Sequence, residues 1–218
     1  MAQKSLIIVG VGPGNGRAIA ERFGREGYGL GLIARSEEKL RRHAKELTAA
    51  GFETAYHAAD SRDLVALCRA ITGLESELGV IDVLAFNAYG ATPERPSSLA
   101  PEQLIDDLVV NAAAPLAAAQ AVLPGMRKRK TGAIVFTGGG LALYPSMQAP
   151  SLSIGKAAIR SLAFVLNEEL KPAGVRAGTV TVAGLVGPDI PASTVADAFW
   201  SLAQDRTGEM PAEIVLKP

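Results

Sequence analysis

The chain of 218 residues fits one large domain or two small ones, and 48% of its residues are hydrophobic, which excludes disorder and predicts a substantial core. Basic and acidic residues balance at 22 each, which excludes the concentrated positive charge that nucleic acid or a membrane surface demands. Cys68 is the only cysteine, so neither a disulfide framework nor a cysteine zinc site is available, and His43 and His57 are too few and too isolated for a metal centre.

The elements follow in chain order. Met1 to Lys4 lead directly into Ser5–Val9, a short apolar run of strand type, with no long apolar signal region. Arg17–Arg25 carries Ile19 and Phe23 at helical spacing and stops at Gly27. Tyr28–Ile33 reads as a strand, Glu37–Ala50 as a helix closed by Gly51, Glu53–His57 as a strand and Arg62–Leu78 as a helix. The mixed-sign stretch Arg35–Glu46 is expected to be a solvated helix face, and both histidines are expected at the surface or in loops.

Val80–Phe86 is the next strand. Pro101–Met126 reads as one long helix, opened by a proline and kinked at Pro115, where a backbone donor is lost. Arg127–Lys130 follows and complements the negative end of its dipole. Then come a strand at Ala133–Thr137, a helix at Ser151–Lys171, a strand at Val175–Val182, a helix at Ala192–Gln204 and a strand at Glu213–Leu216. No apolar run is read as long enough to span a membrane, and a soluble, cytoplasmic protein is expected.

Strand and helix alternating this regularly predict an α/β fold: a doubly wound, Rossmann-type parallel sheet of about seven strands with helices on both faces, in a single domain over 1–218. The first strand ends in Gly10, Gly12, Gly14, Asn15 and Gly16, immediately before a helix. Glycines there permit a tight turn and close approach of backbone to a pyrophosphate, which the helix N-terminus stabilises. At the end of the second strand, where a carboxylate would hold a ribose 2′-hydroxyl, the chain has Arg35, which suits a 2′-phosphate. NADP is therefore the preferred cofactor, with NAD the alternative.

These residues, with several downstream, resemble the short-chain dehydrogenase/reductase family over nearly the whole chain. Gly10, Gly14 and Gly16 match its cofactor-binding glycines. Asp60, followed by Ser61, resembles its adenine-contacting aspartate. Asn87-Ala88 resembles its Asn-Asn-Ala-Gly motif, with Phe86 and Tyr89 departing from it. Asn111 matches the asparagine of the family's proton relay, and Lys156 the lysine that holds the nicotinamide ribose. The resemblance implies NAD(P)-dependent oxidoreduction of a carbonyl or alcohol. It also implies pairing into a homodimer or homotetramer through the long helices around Asn111 and Lys156, where Ala112–Ala114, Ala117–Ala119, Ile159, Leu162, Phe164 and Leu166 allow close packing, although burial against the protein's own sheet explains many of the same residues.

The departures from the family pattern bear on chemistry. The catalytic tyrosine position, one turn before Lys156, is Leu152, and the catalytic serine position is Gly139. The Pro-Gly motif after the sixth strand is Ala183-Gly184, and the segment that forms the substrate lid is shortened to 185–194. Tyr144 is the nearest phenol that can replace the acid, with packing as its other role. The Gly138–Gly140 run offers either backbone donors for an oxyanion or simply room. Two readings stay open: an oxidoreductase with an unusual site, and a non-catalytic protein that senses nucleotide or acts as a scaffold.

Overall fold

The computed structural model describes residues 4–205 and 210–218. Its strands are β1 (Ser5–Val9), β2 (Gly29–Ala34), β3 (Thr54–Ala58), β4 (Val83–Phe86), β5 (Gly132–Thr137), β6 (Val175–Val182) and β7 (Glu213–Leu216). They form one sheet of seven strands in the order β3-β2-β1-β4-β5-β6-β7, and every pairing is parallel. The helices are α1 (Asn15–Gly24), α2 (Glu37–Ala49), α3 (Leu64–Leu78), α4 (Pro101–Leu108), α5 (Ala114–Arg129), α6 (Pro150–Leu170) and α7 (Ala192–Gln204). This is the Rossmann-type single domain that the alternation predicts.

Strand alternation builds two cores. Ile7, Val9, Leu84, Phe86, Ile134 and Phe136 face α3, α5 and α6, where they meet Ile71, Leu74, Met126, Ile159 and Ala163. Leu6, Ile8, Leu30, Leu32, Val135 and Val180 face α1, α2 and α7, packing on Ile19, Phe23, Leu40, Leu47 and Phe199. A sheet buried on both faces explains why the strands read as continuous apolar runs. The order reverses between β1 and β4, and a crevice opens at their carboxyl ends.

Three expectations are corrected. The long helix is not one uninterrupted α-helix. A π-helical turn, Val109–Ala113, precedes Pro115, in which the Ala114 amide bonds Val109 O, and the proline then sits in the first turn of α5, where no donor is required. Second, Arg127, Lys128 and Arg129 belong to the last turn of α5 rather than following it, and Lys130 caps the helix in the left-handed region at φ 55°. Third, the continuous helical stretch 101–129 is long and apolar enough by composition to cross a membrane, contrary to the reading of the sequence. Ala118, Ala119, Val122 and Met126 bury its apolar side in the core.

Candidate functional site

The turn between β1 and α1 opens the crevice. Gly10 sits at φ +91°, and a Cβ there would come within 2.4 Å of Ala88 N. A Cβ on Gly16 would stand 2.9 Å from Gly10 O and from Val11 Cα. These two glycines let backbone pack on backbone. Gly12 and Gly14 differ: an added Cβ would meet nothing within 4 Å, so both open onto the crevice. Gly14 is also the N-cap of α1, and no side chain caps that helix; Arg17 N–H bonds Gly12 O, and the Asn15 and Gly16 N–H groups have no backbone acceptor among the described residues.

From there a chain of hydrogen bonds crosses the sheet. Asn87 Nδ2 donates to Gly10 O (2.8 Å), Thr137 Oγ1 donates to Asn87 Oδ1 (2.9 Å), and Lys156 Nζ donates to Thr137 O (2.7 Å). Lys156 lies on α6 with 8% of its surface exposed, and its burial pushes the ammonium pKa down from 10.5 to about 8. Tyr89 lies over it, 5.9 Å from ring centroid to Nζ.

One cavity of about 1550 Å³ joins these parts. Along its walls lie Gly10, Gly12, Gly14, Asn15 and Gly16 at one end, Arg35, Asp60 and Ser61 beside them, and Asn87, Ala88, Tyr144 and Lys156 further on. Asp60 Oδ1 accepts the Arg62 amide at 2.9 Å, and Ser61 is buried. Leu152 and Gly139 line the same cavity as Lys156. A Cβ on Gly139 would be 3.3 Å from the Lys156 stem.

Asn111 is placed differently from the other candidates, since it does not line the cavity. It is buried, and its side chain accepts the Gly90 amide (3.0 Å) and donates to Gly90 O (2.8 Å). It therefore fixes the Tyr89–Ala91 wall. Tyr144 lies on the loop before α6 and is 67% exposed. Residues 185–190 form a tight loop, with Leu185 N donating to Asp189 Oδ2 (2.7 Å) and Leu185 itself open to solvent.

Sequence reasoning misplaced His43 and missed Lys39. Both line the cavity rather than a solvated face alone. The four-residue step from Lys39 to His43 was the signal that the two share one side of α2. Thr137 bridges Asn87 to Lys156, and only tertiary structure reveals that role. His57 is exposed at the surface as expected, with Nε2 2.6 Å from Glu77 Oε1. Among the described residues no group of His, Cys, Asp and Glu side chains is arranged to hold a metal.

Comparison with known proteins follows the same outline. A short chain dehydrogenase of Pseudocercospora fijiensis is 33% identical over 177 residues, 79% of this chain and 56% of its own length. The 2,3-dihydro-2,3-dihydroxybenzoate dehydrogenase of Bacillus subtilis is 29% identical over 98% of this chain and 77% of its own. The inactive hydroxysteroid dehydrogenase-like protein 1 of Mus musculus is 33% identical over 78% of this chain. The chain spans about half the length of the fungal and mouse relatives (56% and 52%). Among solved structures, a metagenomic short-chain oxidoreductase in complex with NADP superposes with a TM-score of 0.90 at 28% identity, covering 100% of this chain and 98% of that one. Levodione reductase shares the fold (TM-score 0.90, 20% identity, 98% and 96% covered). The short chain dehydrogenase model matches residues 4–197, and the chain belongs to the short chain dehydrogenase family.

Proposed function

We propose that this protein binds NAD(P), NADP in preference, and transfers hydride between it and a carbonyl or alcohol through a site that lacks the usual tyrosine and serine. The observation that carries this reading is the single cavity running from the glycine turn to Lys156. The residues fit the cofactor. Gly12 and Gly14 leave open the space a side chain would fill, and Asn15 Oδ1 is buried in the cavity wall with no partner. Gly10, Gly14 and Gly16 would hold the diphosphate, Arg35 the 2′-phosphate, Asp60 and Ser61 the adenine, and Asn87, Ala88 and Lys156 the nicotinamide ribose.

Bound NADPH supplies hydride. The chain must then manage the negative charge that reduction leaves on a carbonyl oxygen. A positioned acid contributes a ~10²–10⁴-fold rate gain there, and Leu152 contributes none of it. Lys156 places a buried positive charge at this end of the cavity. Tyr144, on the same cavity, is the phenol proposed to deliver the proton, with Gly139 as a second source of stabilisation. The Gly139 amide donates to no backbone carbonyl among the described residues, so an oxyanion is free to take it. Asn111 is a positioning residue in this scheme, acting through Gly90. The loop 185–194 takes the part of a short substrate lid.

A second reading, binding without chemistry, is favoured by Leu152 and Gly139 together with the likeness to a relative whose name declares it inactive. Purified protein mixed with NADPH and a broad carbonyl panel separates the two. Turnover that Tyr144→Phe reduces at least ~10²-fold supports the first. Binding of NADPH with no turnover on any member supports the second, and turnover indifferent to Tyr144→Phe removes that residue from the scheme. We also place the protein in the cytoplasm and propose that copies pair through α5 and α6.

A further inference from the structure

Resting on the reading that the cavity takes NADP, we propose that its substrate is a bulky, uncharged, ring-bearing ketone held by apolar contact, and that Leu185 and Tyr89 select it over an oxo acid or an acyl thioester. The cavity wall is divided by charge. Arg35, Lys39, Asp60 and Arg62 line it, and all four follow β2 or β3 in the chain. The wall supplied by the segments after β4, β5 and β6 has no carboxylate and one charged group, Lys156, which is buried with its ammonium facing the Tyr89 ring. Lys217, after β7, also lines the cavity but is exposed, where water screens it.

Apolar surface is left open on that second wall. Tyr89 follows β4, Tyr144 follows β5, and Leu185 and Val186 follow β6. Tyr89 is 63% exposed and Leu185 68%. Apolar side chains scattered singly over a surface are ordinary, but four of them brought by three loops to one cavity mark a face that a ligand would cover. The same wall includes Gly139, Gly140, Ala183 and Gly184, so little side chain intrudes. The nearest neighbours of a Cβ on Gly139 would be methylenes of the Lys156 stem, which makes that recess apolar too.

Breadth follows from the same placement. β4, β5 and β6 are neighbours in the sheet, and a body that touches the loops after all three must be wide, whereas an unbranched chain can follow only one of them. The faces of Tyr89 and Tyr144 suit a flat ring system. The cavity, about 1550 Å³, exceeds the roughly 300–1,000 Å³ of a pocket for one ligand, so cofactor and ketone fit together. A carboxylate set on this wall would lose its water and find no buried cation but Lys156, which the ribose takes in this reading. In the reaction the ketone carbon gains the hydride of bound NADPH and its oxygen gains a proton, giving a secondary alcohol and NADP.

Calorimetric titration of the full chain, free and saturated with NADP, with 2-tetralone, 6-carboxy-2-tetralone and acetoacetyl-coenzyme A tests the assignment. 2-Tetralone is expected to bind at least about tenfold more tightly than either charged probe. Leu185→Arg is expected to weaken 2-tetralone about tenfold and to tighten the carboxylated analogue, a reversal that a merely structural role would not produce. Tyr89→Ala, expected to weaken 2-tetralone about tenfold, carries the test if Leu185→Arg fails to fold. A wild-type chain that binds NADP but prefers a charged probe, or binds none of the three, overturns this assignment and leaves the cofactor reading standing. A folded Leu185→Arg protein with the wild-type order of preference overturns it too. A chain that binds 2-tetralone first among the probes but no nucleotide supports the apolar wall and brings down the cofactor reading instead.

Discussion

Lys156 shows how one residue lining the cavity can weaken a fold. Its ammonium is buried, with a hydrogen bond to Thr137 O, and burial disfavours the charged form, so the pKa falls to about 8. In the unfolded chain the same group keeps its proton to 10.5. Between those values the unfolded chain binds more protons, so stability rises with pH across that window, and below it the full penalty is present. The penalty is on the order of 3 kcal/mol. Lys156→Met is expected to be more stable than wild type at pH 7 and to converge with it by pH 10.5, read by urea denaturation at several pH values. The same variant should bind NADPH more weakly. Parallel pH profiles for the two proteins would contradict this account of the lysine.

At the scale of elements, the turn before α1 separates two uses of glycine. Gly16 is needed by the fold, because its Cβ would strike Gly10 O and Val11 Cα, both backbone atoms that cannot step aside. Gly14 is not needed by the fold in this way, because its Cβ would enter open crevice, where the proposed ligand would lie. Gly16→Ala should therefore lower the melting temperature and lose NADPH binding. Gly14→Ala should keep the melting temperature and lose only binding. Thermal melts with and without NADPH distinguish the pair, and a Gly14→Ala protein that binds normally would remove the turn from the proposed cofactor site.

Most elements were legible because a sheet covered on both faces writes its strands as apolar runs. What the sequence concealed has local causes. β4 begins at Val83 rather than Val80, because Val80 O accepts the Ser5 hydroxyl and Asp82 accepts the Ser5 amide. Pro115 signals a disturbance in the helix but not its form. The widened turn before it carries Asn111, whose side chain pairs with Gly90, a contact that the sequence does not mark. His43 read as a solvated residue because a charged stretch gives no sign of which of its sides borders a cavity. The glycine turn, Asn87 and Lys156 stood out by residue type and order, whereas Thr137 acts through a main-chain oxygen and a hydroxyl that no pattern marks.

For the whole molecule, the described surface leaves an apolar stripe on α6. Ile154, Phe164 and Val165 are exposed, the last at 58%, with Leu116 of α5 also partly open. Ile159 and Leu166, for which the sequence leaves pairing and burial on the protein's own sheet both open, lie in the molecule's own core. A second copy covering the stripe would bury it at little cost in polar desolvation. If copies pair as proposed, Val165→Glu is expected to leave a folded monomer, read by light scattering coupled to size exclusion. A wild-type chain already monomeric at high concentration would refute the pairing.

Trp200, the only tryptophan, sits on α7 against Phe23 and Tyr28, with the Arg22 guanidinium 4.5 Å from its ring centroid. Phe23 and Arg22 belong to α1, the helix whose opposite end forms the glycine turn. The molecule thus carries its own optical gauge: an indole that no second tryptophan obscures, pressed against the shaft of the helix that begins at the glycine turn. Displacement of that shaft alters the indole's surroundings, so its posture can be followed by fluorescence without attaching a dye.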